Sequence, residues 1–426
     1  MKLHIQGGRL IDPANNIDAP HDLYVADGKI VAIGQAPDGF SAEQTINASG
    51  QIVCPGLVDL AAHFREPGKE HKATIASESR AAVKGGITTV CCPPNTDPIA
   101  DTPAVAELIH QKAELAGLVN IVSIGALTQG LEGRHITNMA SLKTAGCVGV
   151  GNALKPVSNP VIMRRAMEYA ATQDLTVFIH PEDQDLRDDG CVHEGPVSTR
   201  LGLPGIPVAA ETVAVARELA LIEQTGCRAH FHRISSARAV QMISRAQYDG
   251  LPITADVTSH HLHLNEYDLI DFNSNCHVRP PLRSQRDMEG LRSGVAKNII
   301  AAICSDHLPH EPDAKLNPFS QTEHGISALE TFLPLCLRLT EDSDINTSDL
   351  ISRITHQPAN ILGINKGHLS VNADADICIF DPKTIWVLEE GHLVSHGKNS
   401  PFIGWQLQGR VNYTLSKGRI VFDTNA

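Results

Sequence analysis

Residues 51–68 of this 426-residue chain read QIVCPGLVDLAAHFREPG, in which the apolar run over residues 52–58 is followed by polar side chains from Asp59 onward. Side chains alternate between the two faces of a β-strand, so Ala61, His63 and Arg65 are expected on one face. A strand end of the form His-x-His offers two imidazoles to one metal ion, whereas Ala-x-His offers one. Taken alone, His63 is therefore expected to be a hydrogen-bonded core histidine.

Seven further strand-like runs follow, and they alternate with helical patterns. They are residues 86–92, 119–125, 147–151, 176–180, 228–232, 252–257 and 299–304. A Pro in the first turn after residue 101, and a helix over 209–224 that ends before Gly226, are typical of the segments between them. Eight strands alternating with helices predict an α/β protein built on a (β/α)8 TIM barrel.

Short β patterns with turns frame this barrel segment at both ends of the chain. Asp27-Gly28 lies between two alternating runs and predicts a hairpin. Residues 375–382 and 411–422 have the same character. We expect a small β-sandwich domain formed by residues 1–52 and 365–426, and a barrel domain over residues 53–364.

The composition indicates a cytoplasmic protein. Hydrophobic residues make up 42% and charged residues 19%, and the net charge of −13 argues against nucleic acid as a partner. The ten Cys are scattered through apolar runs without a Cys-x-x-Cys pair, which favours a reducing compartment. The N-terminus lacks the apolar core of a signal peptide, and no run suggests a membrane span.

Polar side chains collect where the predicted strands end. The carboxyl ends of barrel strands converge on one face, so these residues are expected to form one site. They are His63, Arg65, Asn95, Asn152, His180, His232, Arg233, His260, His261, Asp306, His307 and His310.

The arrangement resembles the dihydroorotases, a branch of the amidohydrolase superfamily. Their first barrel strand ends in Asp-x-His-x-His-x-Arg and continues with Glu-Pro-Gly; this chain matches it except at Ala61. The resemblance extends over nearly the whole chain. It implies that Arg65, Asn95 and His310 bind substrate, and that Asp306 is a catalytic residue as well as a zinc ligand.

The resemblance further implies that the metal site is incomplete. The ligand positions retained are His63, His180 and Asp306, and the positions lost are Ala61, Asn152 (or its neighbour Ala153) and Arg233. In the family, the second of these three is a carboxylate that bridges two zinc ions, whereas an Asn oxygen is neutral and bridges poorly. Three replacements, one of them by a fixed cation, should remove the two-zinc site.

Arg233 suggests how the pocket tolerates that loss. An unpaired buried carboxylate costs several kcal/mol, and a guanidinium can bind a carboxylate through two hydrogen bonds. We therefore expect Arg233 to pair with Asp306 or a neighbouring acceptor. His232 is adjacent but, by strand alternation, should face away from the side of Arg233 unless the strand bulges.

The preferred interpretation is a catalytically degenerate dihydroorotase homologue of pyrimidine biosynthesis, which needs no cofactor. Some bacterial homologues that lack zinc ligands are structural partners of aspartate carbamoyltransferase, so the resemblance implies that partner, in a homo-oligomer or hetero-oligomer. Dihydroorotate or carbamoyl-aspartate binding through Arg65, Asn95 and His310 stays open.

Two alternatives also stay open. One is an active dihydroorotase with a single zinc held by His63, His180 and Asp306, joined by His232 if the strand bulges. The other is a hydantoinase-like hydrolase in which a carboxylated Lys155 bridges two metals. The loop over residues 311–317 is a further open feature, because it follows His310 and is placed to act as a lid.

Overall fold

The computed structural model describes residues 2–425. Eight parallel strands form one sheet in chain order, and we number them β1 to β8. They are β1 (Leu57–Asp59), β2 (Ile87–Cys92), β3 (Asn120–Ala126), β4 (Cys147–Gly151), β5 (Thr176–Ile179), β6 (Ala229–Phe231), β7 (Ile253–Thr258) and β8 (Ala302–Cys304). A parallel bridge between Ala62 and His307 joins the ends of β1 and β8 and closes the sheet. The predicted (β/α)8 barrel is therefore confirmed.

Helices follow the strands and pack around them. Those over the barrel wall are Ile75–Lys84, Pro103–Ala116, Met139–Thr144, Pro160–Thr172, Val208–Thr225, Ala237–Tyr248, Gln285–Ala296, Phe332–Asp342, Thr347–Ile354 and His356–Leu362. Short helices at Gln184–Arg187 and Pro196–Leu201 lie in the long connection between β5 and β6. Within residues 2–425, no helix combines the length and apolar character that a bilayer crossing requires.

Two further sheets are built from the chain ends. A four-stranded sheet contains Lys29–Ile33, Leu23–Ala26, Lys2–Gln6 and Gln44–Asn47, in that order. A six-stranded sheet contains Arg419–Asp423, Gln406–Ser416, Ile377–Val387, Ile52–Pro55, Arg9–Asp12 and Ile17–Pro20. The second sheet thus combines N-terminal and C-terminal strands; the exact domain boundaries stay a prediction. The Asp27-Gly28 hairpin is confirmed, with φ of 50° and 79° at the two turn residues.

The first barrel strand is shorter than the sequence predicts. It ends at Asp59, and Leu60 and Ala61 pack into the same apolar cluster, so the expected alternation fails beyond that point. The buried Asp59 carboxylate accepts hydrogen bonds from the Ser305 backbone N–H (2.8 Å) and hydroxyl, and from the Ala61 N–H (3.3 Å). These hydrogen bonds connect the end of β1 to Ser305, the residue that follows β8, at the point where the regular strand stops.

Candidate functional site

A small cavity lies where the carboxyl ends of the barrel strands meet. Its volume is about 20 Å³, room for about one water molecule. Its walls are formed by Ala61, His63, Pro93, Pro94, Ile124, Gly151, Ala153, Phe178, His180, His232 and Arg233. The structure therefore brings together three of the imidazoles singled out from the sequence, beside a guanidinium.

Arg233 forms a buried ion pair with Asp306. Nη1 of Arg233 lies 2.9 Å from Oδ1 of Asp306, and the two residues are 3% and 6% exposed. Burial raises the pKa of the Asp306 carboxyl, and the guanidinium opposes that shift. Burial also lowers the pKa of Arg233, but Asp306 outweighs it, so the guanidinium stays charged. The hypothesis that these two residues pair is confirmed.

The residue that faces the cavity after β4 is Ala153, because the side chain of Asn152 is engaged elsewhere. Oδ1 of Asn152 accepts hydrogen bonds from the Thr128 hydroxyl (2.8 Å) and backbone N–H (3.3 Å). Its Nδ2 donates to the carbonyls of Lys155 (2.7 Å) and Leu131 (3.3 Å). Of the two candidates for the lost bridging position, Ala153 is thus the one on the cavity wall.

The three cavity imidazoles are neutral and differ in their hydrogen bonding. Nδ1 of His232 donates to Oδ2 of Asp256 at 2.6 Å. Both ring nitrogens of His180 are buried without a hydrogen-bond partner, although Nε2 lies 3.6 Å from a Glu182 oxygen. Burial lowers the pKa of His180 and of His232 to about 4, and it lowers the pKa of His63 well below its usual range.

His232 and Arg233 both line the cavity, so the expectation that they face opposite sides is wrong. The reason is that β6 ends at Phe231, and Arg233 has a left-handed φ of 60°. Strand alternation therefore does not apply to either residue.

The ligand positions that the resemblance counts as retained are not drawn together in this structure. In the part of the chain from residue 2 to 425, one set of three side chains has metal-ligating atoms that all lie within 4.8 Å of one another, namely His230, His232 and Asp256. In that set the two imidazoles hydrogen bond to the same Asp256 oxygen. His63, His180 and Asp306 form no such set, and Arg233 holds Asp306. Tetrahedral zinc needs three or four ligands around one point, so His63, His180 and Asp306 would have to move together to hold it.

A second group of polar residues surrounds His310, outside the cavity wall. Nε2 of His310 donates to the His324 carbonyl at 2.9 Å, so its Nδ1 is an acceptor. Nδ1 of His310 accepts a hydrogen bond from the Lys72 ammonium at 3.0 Å and lies 3.4 Å from Nη2 of Arg65. Nothing in the sequence pattern indicated Lys72, whose burial arises from the fold. Asn95, the third predicted substrate-binding residue, is half-buried on the loop after β2.

Three other histidines predicted for the site, His260, His261 and His307, are not part of the cavity wall. Nε2 of His307 donates to the Glu78 carboxylate at 2.8 Å, and Nδ1 accepts from the Ala328 N–H at 3.0 Å. His261 hydrogen bonds to Thr258 at 2.6 Å. His260 is buried, and both its ring nitrogens lack a hydrogen-bond partner.

A second arginine and an exposed lysine also bear on the pocket. Arg279 stands where the resemblance predicts Asn, and it binds Glu182 through both Nη2 and Nε (3.1 Å). Burial raises the pKa of Glu182, but His180 and Arg279 lower it to about 2. Lys155 is exposed, so it lies away from the cavity that a bridging carboxylated lysine would have to reach.

Known proteins are similar to this chain over almost its whole length. A dihydro-orotase-like family model matches residues 50–239. A dihydroorotase-like protein of Pseudomonas putida is 49% identical over 420 residues, 99% of each chain. A dihydroorotase of Geobacter sp. (strain M21) is 44% identical over 425 residues, again 99% of each chain. The L-hydantoinase (dihydropyrimidinase) of Arthrobacter aurescens has the same fold, with a TM-score of 0.87 at 23% identity over 99% of this chain and 96% of that one. The chain therefore belongs to the dihydroorotase-like family of the amidohydrolase superfamily.

Proposed function

We propose that this chain is a non-catalytic member of the family that acts in cytoplasmic pyrimidine biosynthesis as a structural partner of aspartate carbamoyltransferase. The observation that carries the non-catalytic part is the Arg233–Asp306 ion pair at 2.9 Å. The resemblance assigns Asp306 to zinc binding and proton transfer. A carboxylate neutralised by a fixed guanidinium is poorly suited to either task.

The chemistry of amide hydrolysis supports the same conclusion. Hydrolysis needs a hydroxide near neutral pH, and in metal-dependent hydrolases the bound metal supplies it by lowering the pKa of water from 15.7 to about 7. The residues around the cavity leave that role unfilled. The cavity volume of about 20 Å³ is also far below the roughly 300–1,000 Å³ of typical ligand pockets.

An active dihydroorotase with one zinc is the second candidate, and a specific observation favours it. His63, His180 and His232 line one cavity, and both ring nitrogens of His180 lack hydrogen-bond partners. The relative named dihydroorotase at 44% identity adds support. This candidate would interconvert N-carbamoyl-L-aspartate plus a proton with L-dihydroorotate plus water. It requires the imidazoles to close around a metal and Asp306 to leave Arg233.

Metal content and turnover separate the two candidates. Protein purified without chelator is expected to contain far less than one zinc per chain and to leave both L-dihydroorotate and N-carbamoyl-L-aspartate unchanged. One zinc accompanied by turnover that His63→Ala abolishes would establish the second candidate instead. His21→Ala is the matched control, because His21 is exposed and precedes the barrel strands in the sequence.

The partner is tested directly by association. The proposal rests on the resemblance to zinc-ligand-deficient homologues that partner aspartate carbamoyltransferase. Co-expressed with the aspartate carbamoyltransferase of its own organism, the chain is expected to elute with it as one complex in size-exclusion chromatography. Separate elution at micromolar concentrations of both proteins would count against the partner and leave the non-catalytic assignment standing.

A further inference from the structure

Lys315 is a lysine without a counter-ion, in the loop over residues 311–317. It ends the short turn Pro312–Lys315. Its Nζ donates to two main-chain carbonyls, that of Ser274 at 3.1 Å and that of Glu323 at 2.6 Å. Within residues 2–425 it forms no ion pair with a carboxylate, and burial is the main influence on its charge. These two carbonyls hold the loop in place.

The number of acceptors around Nζ fits a neutral amine. A lysine ammonium has three N–H donors, whereas the neutral amine has two donors and one lone pair. The carbonyls of Ser274 and Glu323 satisfy both donors of the neutral form and leave its lone pair unused. An ammonium at this place would be buried without an ion-pair partner, which is costly.

The charges around Lys315 favour the neutral amine as well. The titratable groups are Cys276 and His277 in the segment after β7, Glu323 and His324 in the segment after β8, and Lys72 in the segment after β1. Burial lowers the pKa of Lys315 to about 7, and the charge of Lys72 adds to that shift, whereas Cys276 and Glu323 oppose it. Burial also lowers the pKa of both histidines, so neither is a second cation at neutral pH. A desolvated lysine with a free lone pair is a nucleophile.

Solvent reaches the turn that carries this amine. Lys315 is partly exposed, and its neighbours Asp313, Leu316 and Asn317 are exposed, Leu316 at 78%. A small electrophile can therefore approach Nζ while the barrel stays folded.

We propose that Lys315 is a site of covalent modification that accepts an acyl group from an acyl phosphate. The lone pair of Nζ attacks the carbonyl carbon, and a C–N bond forms. The C–O bond to phosphate breaks, and phosphate leaves with that electron pair and takes up the proton released by the nitrogen. The product is an amide, and the step needs no oxidant or reductant.

Acylation changes how the loop is held. An amide nitrogen has one N–H, so acylated Lys315 can donate to the carbonyl of Ser274 or to that of Glu323, but not to both. The modification therefore weakens the attachment of the turn Pro312–Lys315 to the segment after β7. The site is independent of the proposed function, since neither zinc nor a partner protein takes part.

Reaction of the full chain with acetyl phosphate tests the site, with peptide mass spectrometry giving the acetylation rate of each lysine. At pH 7 we expect Lys315 to react at least about tenfold faster than the exposed Lys383. About half of the Lys315 amine is neutral at that pH, against less than about 0.1% for an unperturbed lysine. The rate at Lys315 should level off above about pH 8, whereas the rate at Lys383 should keep rising.

Two results would overturn the proposal. They are a rate at Lys315 no higher than that at Lys383 at pH 7, and a rate at Lys315 that still rises about tenfold between pH 8 and 9. Both are measured on the wild-type chain, so no variant has to fold.

Hydrogen exchange tests the effect on the loop. Amides of residues 312–317 should exchange faster in the acetylated chain and in Lys315→Gln than in the unmodified chain. Lys383→Gln is the matched control and should leave their exchange unchanged. Equal exchange in the acetylated and unmodified chains would overturn the weakened attachment.

Discussion

Asp306 accepts a hydrogen bond from Arg233 across the barrel mouth, at 2.9 Å, between the residues that follow β8 and β6. Both side chains are buried, so each charge is compensated by the opposite charge of its partner and not by water. The family resemblance predicts an imidazole at position 233 and zinc beside Asp306. In this chain a fixed guanidinium stands where the resemblance predicts a zinc ligand, and its charge compensates the Asp306 carboxylate.

Removing one partner of this pair should be costly. We expect Arg233→Met to lower the free energy of unfolding by about 3–5 kcal/mol, because Asp306 is left buried and unpaired. Adding Asp306→Leu in the same chain should recover much of that loss. Urea denaturation of the two single variants and the double variant gives the coupling directly.

The exposed pair Arg245–Asp249, with side chains 73% and 42% exposed, supplies the control. Arg245→Met should cost less than about 0.5 kcal/mol. Additive effects of Arg233→Met and Asp306→Leu would show that the two residues do not stabilise each other.

Asn152→Asp should destabilise the protein, although it restores the residue type that the family resemblance predicts there. The Asn152 amide donates to the carbonyls of Lys155 and Leu131, and a carboxylate cannot donate to either. Each acceptor left unsatisfied costs about 1–3 kcal/mol. Thermal unfolding should show a clear fall in Tm.

Asn159→Asp is the comparison, because Asn159 caps the helix Pro160–Thr172 through an acceptor oxygen that Asp retains. A stable Asn152→Asp variant would contradict the assignment of that amide.

The eight strands could be predicted because each is a short apolar run bounded by turn residues, and the barrel follows from their number and alternation with helices. Periodicity did not predict where β1 and β6 end. Asp59, at the end of β1, accepts a hydrogen bond from Ser305, which follows β8. Asp256, in β7, accepts hydrogen bonds from the His232 ring and the Arg233 backbone N–H, which follow β6. Such contacts join residues distant in sequence, so no local pattern shows them.

The sequence predicted which residues belong to the site better than it predicted how their side chains are arranged. The resemblance places Arg233 at a lost ligand position near Asp306, and the cost of an unpaired buried carboxylate then predicts that Arg233 pairs with Asp306 or a neighbouring acceptor. The choice between Asn152 and Ala153 cannot be predicted in this way, since it depends on Thr128 and Leu131 of a neighbouring connection. Lys72 was missed for a similar reason: only the fold brings it against His310 and Glu311.

A zinc site should return when the three cavity positions are restored together. In Ala61→His/Ala153→Asp/Arg233→His, Asp306 loses its guanidinium while the cavity gains two imidazoles and a carboxylate. We expect this variant to retain at least about one zinc per chain after dialysis, measured by mass spectrometry of the metal. The matched variant carries Asn152→Asp in place of Ala153→Asp and should retain less, because position 152 points away from the cavity. Equal zinc in the two variants would reassign the bridging position.

Acid should destabilise the protein through Glu78, which joins the helix Ile75–Lys84 to the end of β8. Its carboxylate accepts hydrogen bonds from His307 (2.8 Å), the Ser395 hydroxyl (2.7 Å) and the His396 N–H (3.1 Å). Burial raises the pKa of Glu78, but these donors outweigh it and lower the pKa from 4.5 to about 2. The unfolded chain therefore binds a proton at a higher pH than the folded chain does.

This contribution to stability is complete above pH 4.5 and is lost as the pH falls through 2, with a total on the order of 3 kcal/mol. Denaturant unfolding at a series of pH values should therefore show a smaller loss between pH 5 and 3 in Glu78→Gln than in the wild type. Glu107→Gln, on the exposed face of the helix Pro103–Ala116, should leave the wild-type dependence unchanged. If Glu78→Gln and the wild type lose stability in parallel, the acid sensitivity arises elsewhere in the chain, and the network around Glu78 contributes little to it.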